Sequence, residues 1–334
     1  LTARVTDIDD KPRFEQAVSK RCGAIHAVAV NSATSALHVA CLALDLGPGD
    51  VLWTVPNTFV ASANCGRYCG AEVDFVDIDP NTWNLSVSAL HSKLIQAKRT
   101  VKLPKIVVPV HFGGQPTDQE EIWDLAQEFG FRVLEDASHS FGATRNGESV
   151  GSCKWSHIAV FSFHPVKIIT TGEGGMAMTN DDELAWRMTA LRSHGITRDS
   201  ARMQHEPDGP WYYEQLELGY NYRMTDLQAA LGLSQFACLD EFVERRNALA
   251  RRYDRKLADL SLRLPTVRPE NRSAFHLYVT RLCSGKIRKT HREVYEALRS
   301  EGVGVNLHYM PVHLQPYYRN LGFAPDMYPE AERY

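Results

Sequence analysis

Long hydrophobic runs are missing from this chain of 334 residues: no apolar stretch approaches the ~20 residues that a bilayer-spanning helix requires. A large charge excess is missing too. Lys and Arg total 37 against 40 Asp and Glu, a net charge of -3, so nothing attracts a nucleic-acid backbone wholesale. Cysteine is sparse, odd in number and scattered, at 22, 41, 65, 69, 153, 238 and 283, which argues against a disulfide-stapled secreted scaffold. Cys65 and Cys69 lie four apart on an expected helix, but no second Cys or His pair stands at zinc-ligand spacing. They read as small buried thiols, and no metal is expected. No signal peptide is legible. These scarcities predict a cytoplasmic protein with neither a membrane nor a nucleic-acid partner. Internal repeats and low-complexity tracts are also lacking. What remains is an ordinary globular composition, 44% hydrophobic and 23% charged, in a chain too long for one typical core. One large and one small domain is the expectation.

The first two-thirds alternates short apolar runs with amphipathic stretches. Strands are expected at His26–Val30, Val51–Val55, Glu72–Val76, Ile106–Val110, Arg132–Glu135, Ile158–Phe163 and Met176–Thr179. Ala36, Leu37, Ala40, Cys41 and Leu44 fall on one helical face, and Gly47-Pro48-Gly49-Asp50 punctuates the passage to the next strand. Thr117 and Glu120 resemble a capping box ahead of Ile122, Leu125 and Ala126. This alternation predicts an α/β fold with a mainly parallel sheet covered on both faces. Beyond about Asn221 the texture changes: 225–260 reads as one long helix, His276–Leu282 as a strand, and His291–Ser300 as a helix. The domain boundary is expected near 240.

In open α/β sheets, ligands sit beyond the carboxyl ends of the strands. After the first expected strand comes Asn31-Ser32-Ala33-Thr34-Ser35-Ala36. Alone, that run is an N-cap; it can equally cradle an anion with free N–H groups and the Thr34 and Ser35 hydroxyls. After the fifth comes Asp136-Ala137-Ser138-His139. A strand-end carboxylate is often a solvated charge, yet it is also what keeps a pyridine nitrogen protonated. The run Phe161 to Gly175 holds Lys167 between Val166, Ile168 and Ile169, ahead of a Gly-rich turn. Most lysines are surface solubilisers, but apolar surroundings disfavour the ammonium and make the amine a usable nucleophile. Ser162, five residues earlier, is placed to donate to a phosphate. A cradle, a strand-end Asp and a lysine loop, in that order, form a combination that few chemistries require.

The motifs NSATSAL, PNTFVASAN, VPVHFGG, EDASH, SFHPVKIITTGEGG, LRSHGITR and LGYNYRMTDLQAALG resemble the DegT/DnrJ/EryC1/StrS family of sugar aminotransferases over almost the whole chain. The wording of PNTFVASANC, EDASHSFGA and HYMPVHLQPYY is most like the family's pseudaminic acid branch, the transaminases that form UDP-4-amino-4,6-dideoxy-N-acetyl-β-L-altrosamine. The resemblance implies the type I, aspartate-aminotransferase-like fold of pyridoxal-phosphate enzymes: a mixed, mainly parallel seven-stranded sheet in a large cofactor-binding domain, 1–240, and a smaller C-terminal α+β domain, 241–334. Against the family pattern the chain starts late and stops at Tyr334, so the smaller domain is expected to be truncated. A homodimer with active sites at the subunit interface is implied as well. Position by position, Lys167 matches the lysine that binds pyridoxal 5'-phosphate, Asp136 the pyridine-nitrogen partner, and His139 the residue beside the ring. Phe59 matches the stacking aromatic, and Thr34, Ser35 and Ser162 match phosphate contacts. Asn221 or Arg223 lies where the neighbouring subunit serves the phosphate. His308, Tyr309 and His313 lie where substrate contacts are expected, as does Arg223. The implied reaction moves an amino group from L-glutamate, through pyridoxamine phosphate, to C4 of a UDP-linked 4-keto-6-deoxy-N-acetylhexosamine. A different nucleotide-linked keto-sugar, or a dehydratase on the same fold, are the alternatives. A related dehydratase carries histidine at the position of Lys167, which favours transamination here.

Overall fold

All seven short apolar runs become strands of one sheet. In the computed structural model, which describes residues 10–100, 102–283 and 285–334, these are β1 (His26–Val30), β2 (Val51–Thr54), β3 (Glu72–Phe75), β4 (Ile106–Val108), β5 (Arg132–Asp136), β6 (Ile158–Ser162) and β7 (Gly175–Thr179). The order across the sheet is β1-β7-β6-β5-β4-β2-β3. β2 pairs in parallel with β3 and β4, β4 with β5, and β5 with β6. β7 runs antiparallel to both β6 and β1. Every residue of β6 and β7 is buried, which is why these runs are continuously apolar rather than alternating.

Helices cover both faces. α1 (Asp10–Cys22) buries Phe14, Val18 and Cys22. α2 (Ala33–Ala43) is apolar nearly all round and packs between the sheet and its neighbours α3 (Ala61–Tyr68) and α6 (Asp182–Leu191). α4 (Val87–Thr100) packs on α5 (Gln119–Phe129), and α5 on β5. Cys65 and Cys69 are buried free thiols. None of the helices among the described residues is long and apolar enough to cross a membrane.

Three local expectations are corrected. The stretch 225–260 is two helices, α7 (Asp226–Phe236) and α8 (Leu239–Leu257), parted at Ala237 and Cys238. Each docks elsewhere: Gly232 of α7 lies against Phe14 of α1, where an added Cβ would meet its ring at 2.8 Å. In α8, Val243 and Leu239 close over Gly142. One straight rod cannot make both contacts. Thr117 does not cap α5, because its N–H is bound to His111 Nδ1 at 2.9 Å and its hydroxyl donates to Gln119 Oε1 at 2.7 Å. Capping boxes form instead at Thr225 with Gln228, and at Thr290 with Glu293 ahead of α9 (His291–Ser300). Of His276–Leu282, only Arg281–Leu282 is strand.

The end of the chain returns to the large core. α10 (Pro316–Arg319) and α11 (Pro329–Arg333) bring Tyr318 and Tyr328 against Phe75 of β3, with ring centroids 5.6 and 5.8 Å apart. Tyr328 Oη donates to Asp74 Oδ1 at 2.7 Å.

Candidate active site

The carboxyl edge of the sheet collects the chemistry. β5 ends in Asp136, only 6% exposed. Its Oδ2 accepts from Ser62 Oγ of α3 at 2.6 Å, and its Oδ1 from the Ser138 N–H at 3.1 Å. Ser62 is in turn bonded to Thr58 at 2.8 Å, so the carboxylate is aimed from two sides. β6 runs out into the Lys167 loop, which closes on itself: the Phe163 N–H donates to Gly174 O at 2.9 Å and the Thr171 N–H to Phe163 O at 3.0 Å. Ile168 and Ile169 are buried and pin the loop to the core. Burial pulls the Lys167 ammonium down to about 8, with Asp136 opposing the shift. About a tenth of such an amine is neutral at pH 7, against less than about a thousandth for an ordinary lysine.

Three histidines and a tyrosine ring this amine. His139 accepts from the Gly113 N–H at Nδ1, 3.3 Å, which leaves Nε2 to donate to Tyr309 Oη at 3.2 Å. Burial first, and then the Lys167 charge, hold His139 well below its ordinary range. His276 lies with its ring centroid 4.5 Å from that of His139 and its Nε2 3.5 Å from Lys167 Nζ. His308 is half-buried, and Lys167 also depresses it, after burial. Tyr309 is raised by burial and then by Asp136.

A second group forms where β1 meets α2. Ser32 caps the helix by accepting from the Ser35 N–H at 3.1 Å, and Ser35 Oγ donates to Asn31 Oδ1 at 2.6 Å. Thr34 is half-buried beside them. Gly175, at the start of β7, has no room for a side chain: a Cβ would meet Ala33 N and the Ser32 carbonyl at 2.5 Å. Ser162 ends β6 nearly buried, within 3.5 Å of the His164 N–H. Asn221 and Arg223 are exposed, with their backbones bridged to Ser193 and Val30. Phe59 is 58% exposed although Asn57 and Thr58 beside it are buried.

Asp136, His139, Lys167, His308 and Tyr309 are therefore brought together. His313 is not: its ring is wholly buried, bonded through Nε2 to Glu332 at 2.9 Å and packed on Tyr328. It fastens α11 to the core. The sequence reading missed His276, Ser62 and the His111–Glu135 pair, 2.8 Å apart and almost fully buried, which anchors the loop carrying Gly113. Ser62 stands within the PNTFVASAN motif and was open to notice. His276 carries no local signal.

A buried amine, a strand-end carboxylate, an exposed aromatic ring and a capped helix start fit a planar pyridine aldehyde that bears a phosphate. The comparisons with known proteins agree. The profile of the DegT/DnrJ/EryC1/StrS aminotransferase family matches residues 4–334. The chain belongs to this family.

Among relatives, the spore coat polysaccharide biosynthesis protein SpsC of Bacillus subtilis (strain 168) is 41% identical over 96% of this chain and 81% of its own length. GDP-perosamine synthase of Caulobacter vibrioides is 39% identical, and the UDP-4-amino-4,6-dideoxy-N-acetyl-beta-L-altrosamine transaminase of Campylobacter jejuni 37%, each over 92% of this chain and 78% of its own. The structure of Helicobacter pylori PseC, an aminotransferase involved in the biosynthesis of pseudoaminic acid, superposes with a TM-score of 0.86 at 30% identity, covering 97% of this chain and 84% of that one. Spr1654 of Streptococcus pneumoniae, solved in PLP and PMP forms, gives TM-scores of 0.84 and 0.85 at 27% and 28% identity, covering 96% of this chain and 83% and 84% of the two. The DegT/DnrJ/EryC1/StrS chain described here is thus a pyridoxal-phosphate-dependent sugar aminotransferase of the type I fold, acting on nucleotide sugars.

Proposed function

We propose that Lys167 is the cofactor-binding and proton-transferring residue, and that the acceptor is a UDP-linked 4-keto-6-deoxy-N-acetylhexosamine aminated at C4 with L-glutamate as donor. The observation that carries the site is the Lys167 amine, brought to about 8 by burial and set beside Asp136 and His276. Pyridoxal phosphate supplies an electron sink for the pair left when a proton leaves the carbon bearing nitrogen. Lys167 Nζ takes that proton and returns it elsewhere, a task suited to an amine whose two forms are both populated near neutrality. Asp136, held by Ser62 and the Ser138 N–H, keeps a proton on the ring nitrogen. The first-turn N–H groups of α2, with Thr34, Ser35 and Ser162, hold the phosphate. Phe59 covers a ring face, and His139 and Tyr309 form a bonded pair beside the amine.

The UDP-sugar reading rests on motif wording and on the Campylobacter relative at 37%; the GDP-sugar relative stands as near, at 39%. Asn221 and Arg223, exposed in the single chain, suit a homodimer in which one of them, Asn221 or Arg223, serves the partner's phosphate site. A cofactor-binding unit over 1–240 with a smaller unit over 241–334, working in the cytoplasm, completes the proposal.

Borohydride reduction of the yellow holoenzyme followed by peptide mapping is expected to mark Lys167. Lys167→Ala should bind cofactor without a covalent link and lose at least about a thousandfold in turnover. A mark on another lysine, or near-normal turnover in that variant, ends the assignment. Release of 2-oxoglutarate from L-glutamate, compared between UDP- and GDP-linked 4-keto sugars, tests the acceptor; faster turnover of the GDP-sugar would replace the UDP reading.

A further inference from the structure

The contact between Lys167 and His276 is built by a segment 109 positions further along the chain, with more apparatus than a chance approach needs. The segment 274–277 is tied to the glycine pair after β4: the Ala274 N–H donates to Gly114 O and the Leu277 N–H to Gly113 O, both at 3.0 Å. Gly114, at φ +107, has no space for a Cβ, which would stand 2.7 Å from Phe275 N and 2.9 Å from His276 N. From α8, Arg246 Nη1 donates to the carbonyls of Phe275 and His276 at 3.0 and 3.2 Å. Phe275 itself sits at φ +44, a left-handed conformation that a non-glycine side chain resists. Strain of this kind persists only where the surroundings over-determine it, and here four hydrogen bonds to neighbouring elements fix the segment 274–277 that carries His276.

We propose that His276 is a positioning residue that holds the Lys167 amine through a hydrogen bond at Nε2. The inference rests on the reading that Lys167 carries the cofactor. The groups facing the pair are Asp136 and His139 from the β5 end, His164 from the lysine loop, Arg246 from α8, and His308. Burial first, and then the charges of Lys167 and Arg246, keep His276 neutral. A neutral imidazole does not compete for the lysine's proton. His139 and His276 differ in one respect that matters. The Nδ1 of His139 is pinned by the Gly113 N–H, whereas the Nδ1 of His276 is buried with no hydrogen-bond partner among the described residues. Nothing locks its tautomer. An imidazole free to take either one accepts from an ammonium and donates to an amine, so it stays bonded to Lys167 in both protonation states.

The test uses the full chain, stripped of cofactor, and measures the pH profile of Lys167 arylation by trinitrobenzenesulfonate, with the modified residue located by peptide mapping. The wild-type midpoint is expected near 8. In His276→Phe the ammonium loses its acceptor and the midpoint should fall by on the order of one unit, while His276→Gln, which can accept and donate, restores it. The rate at which added pyridoxal phosphate attaches, followed by visible absorbance above about pH 9.5 where the amine is neutral in either chain, should drop about tenfold in the Phe variant and recover in the Gln variant. Unchanged profile and attachment rate in His276→Phe overturn the inference. Should that variant fail to fold, imidazole 15N shifts in the wild-type chain decide: a neutral His276 from about pH 6 to 9 supports the inference, and a protonated one overturns it. Arylation of some lysine other than 167 would instead overturn the underlying site reading, which separates the two failures.

Discussion

The carboxyl edge of the sheet and the stretch from 258 to 310 meet at Lys167, yet they are held by different forces. The edge is rooted in burial: β5, β6 and β7 and the flanking loops place Val133, Leu134, Phe161, Phe163, Met176 and Met178 at or near zero exposure. Among its described residues the later stretch contains only two-residue strands, Leu262–Arg263, Asn271–Arg272 and Arg281–Leu282, and a helix, α9, with no buried residue. Its anchors are polar and aimed at backbone: Asn247 Nδ2 to Ser273 O at 2.9 Å, Gln115 Nε2 to Thr266 O at 2.8 Å, and the Gly113–Gly114 and Arg246 contacts. Apolar burial is strong but non-directional, whereas hydrogen bonds are weak and geometrically strict. The sheet edge supplies stability to the site, and the polar stretch supplies aim.

That contrast can be broken at several places. Leu90→Ala in α4, at a wholly buried position, should cost about 2–5 kcal/mol, read from urea unfolding midpoints. Gly114→Ala should cost roughly 1–3 kcal/mol, because it needs both a positive φ and a shift of the 275–276 backbone. If the later stretch were an independent unit, that substitution would leave the environment of His276 untouched, and its 15N signal would not move. Acid should act on the site in particular. The folded-state values of His139 and His276 are depressed, so the unfolded chain takes up their protons first as pH falls below about 6.5. Stability is full above that value and declines below it, by up to about 1.4 kcal/mol per pH unit for each histidine. His276→Gln should flatten the decline between pH ~6.5 and ~5.5; equal slopes in variant and wild type would show that His276 is not held neutral. The smallest effect belongs to Leu298→Ala in α9, within about 0.5 kcal/mol, since no side chain of that helix is buried.

The seven strands were legible because each is a short apolar run bounded by turn residues, and each appears within one or two residues of its expected limits. The lysine loop and the strand-end Asp136 were legible for the same reason, since position relative to a strand end is a local property. The errors share a cause. The break at Ala237 and Cys238 has neither Pro nor Gly to mark it; it exists because Gly232 and Gly142 receive different partners. Thr117 lost its cap to His111, six positions away. His276, expected to open a strand, instead follows the positive φ of Phe275 into a bend held by Gly114 and Arg246.

By itself the sequence determined the alternation of strand and helix, hence the parallel sheet, and with it the residues delivered to the carboxyl edge. Periodicity and local composition encode those features within a dozen residues. Only the tertiary structure decided which groups surround the Lys167 amine. His276 arrives from 109 positions beyond it, and the bond from His139 to Tyr309 spans 170. Their approach depends on hydrogen bonds between distant backbones, which leave no pattern in any local window.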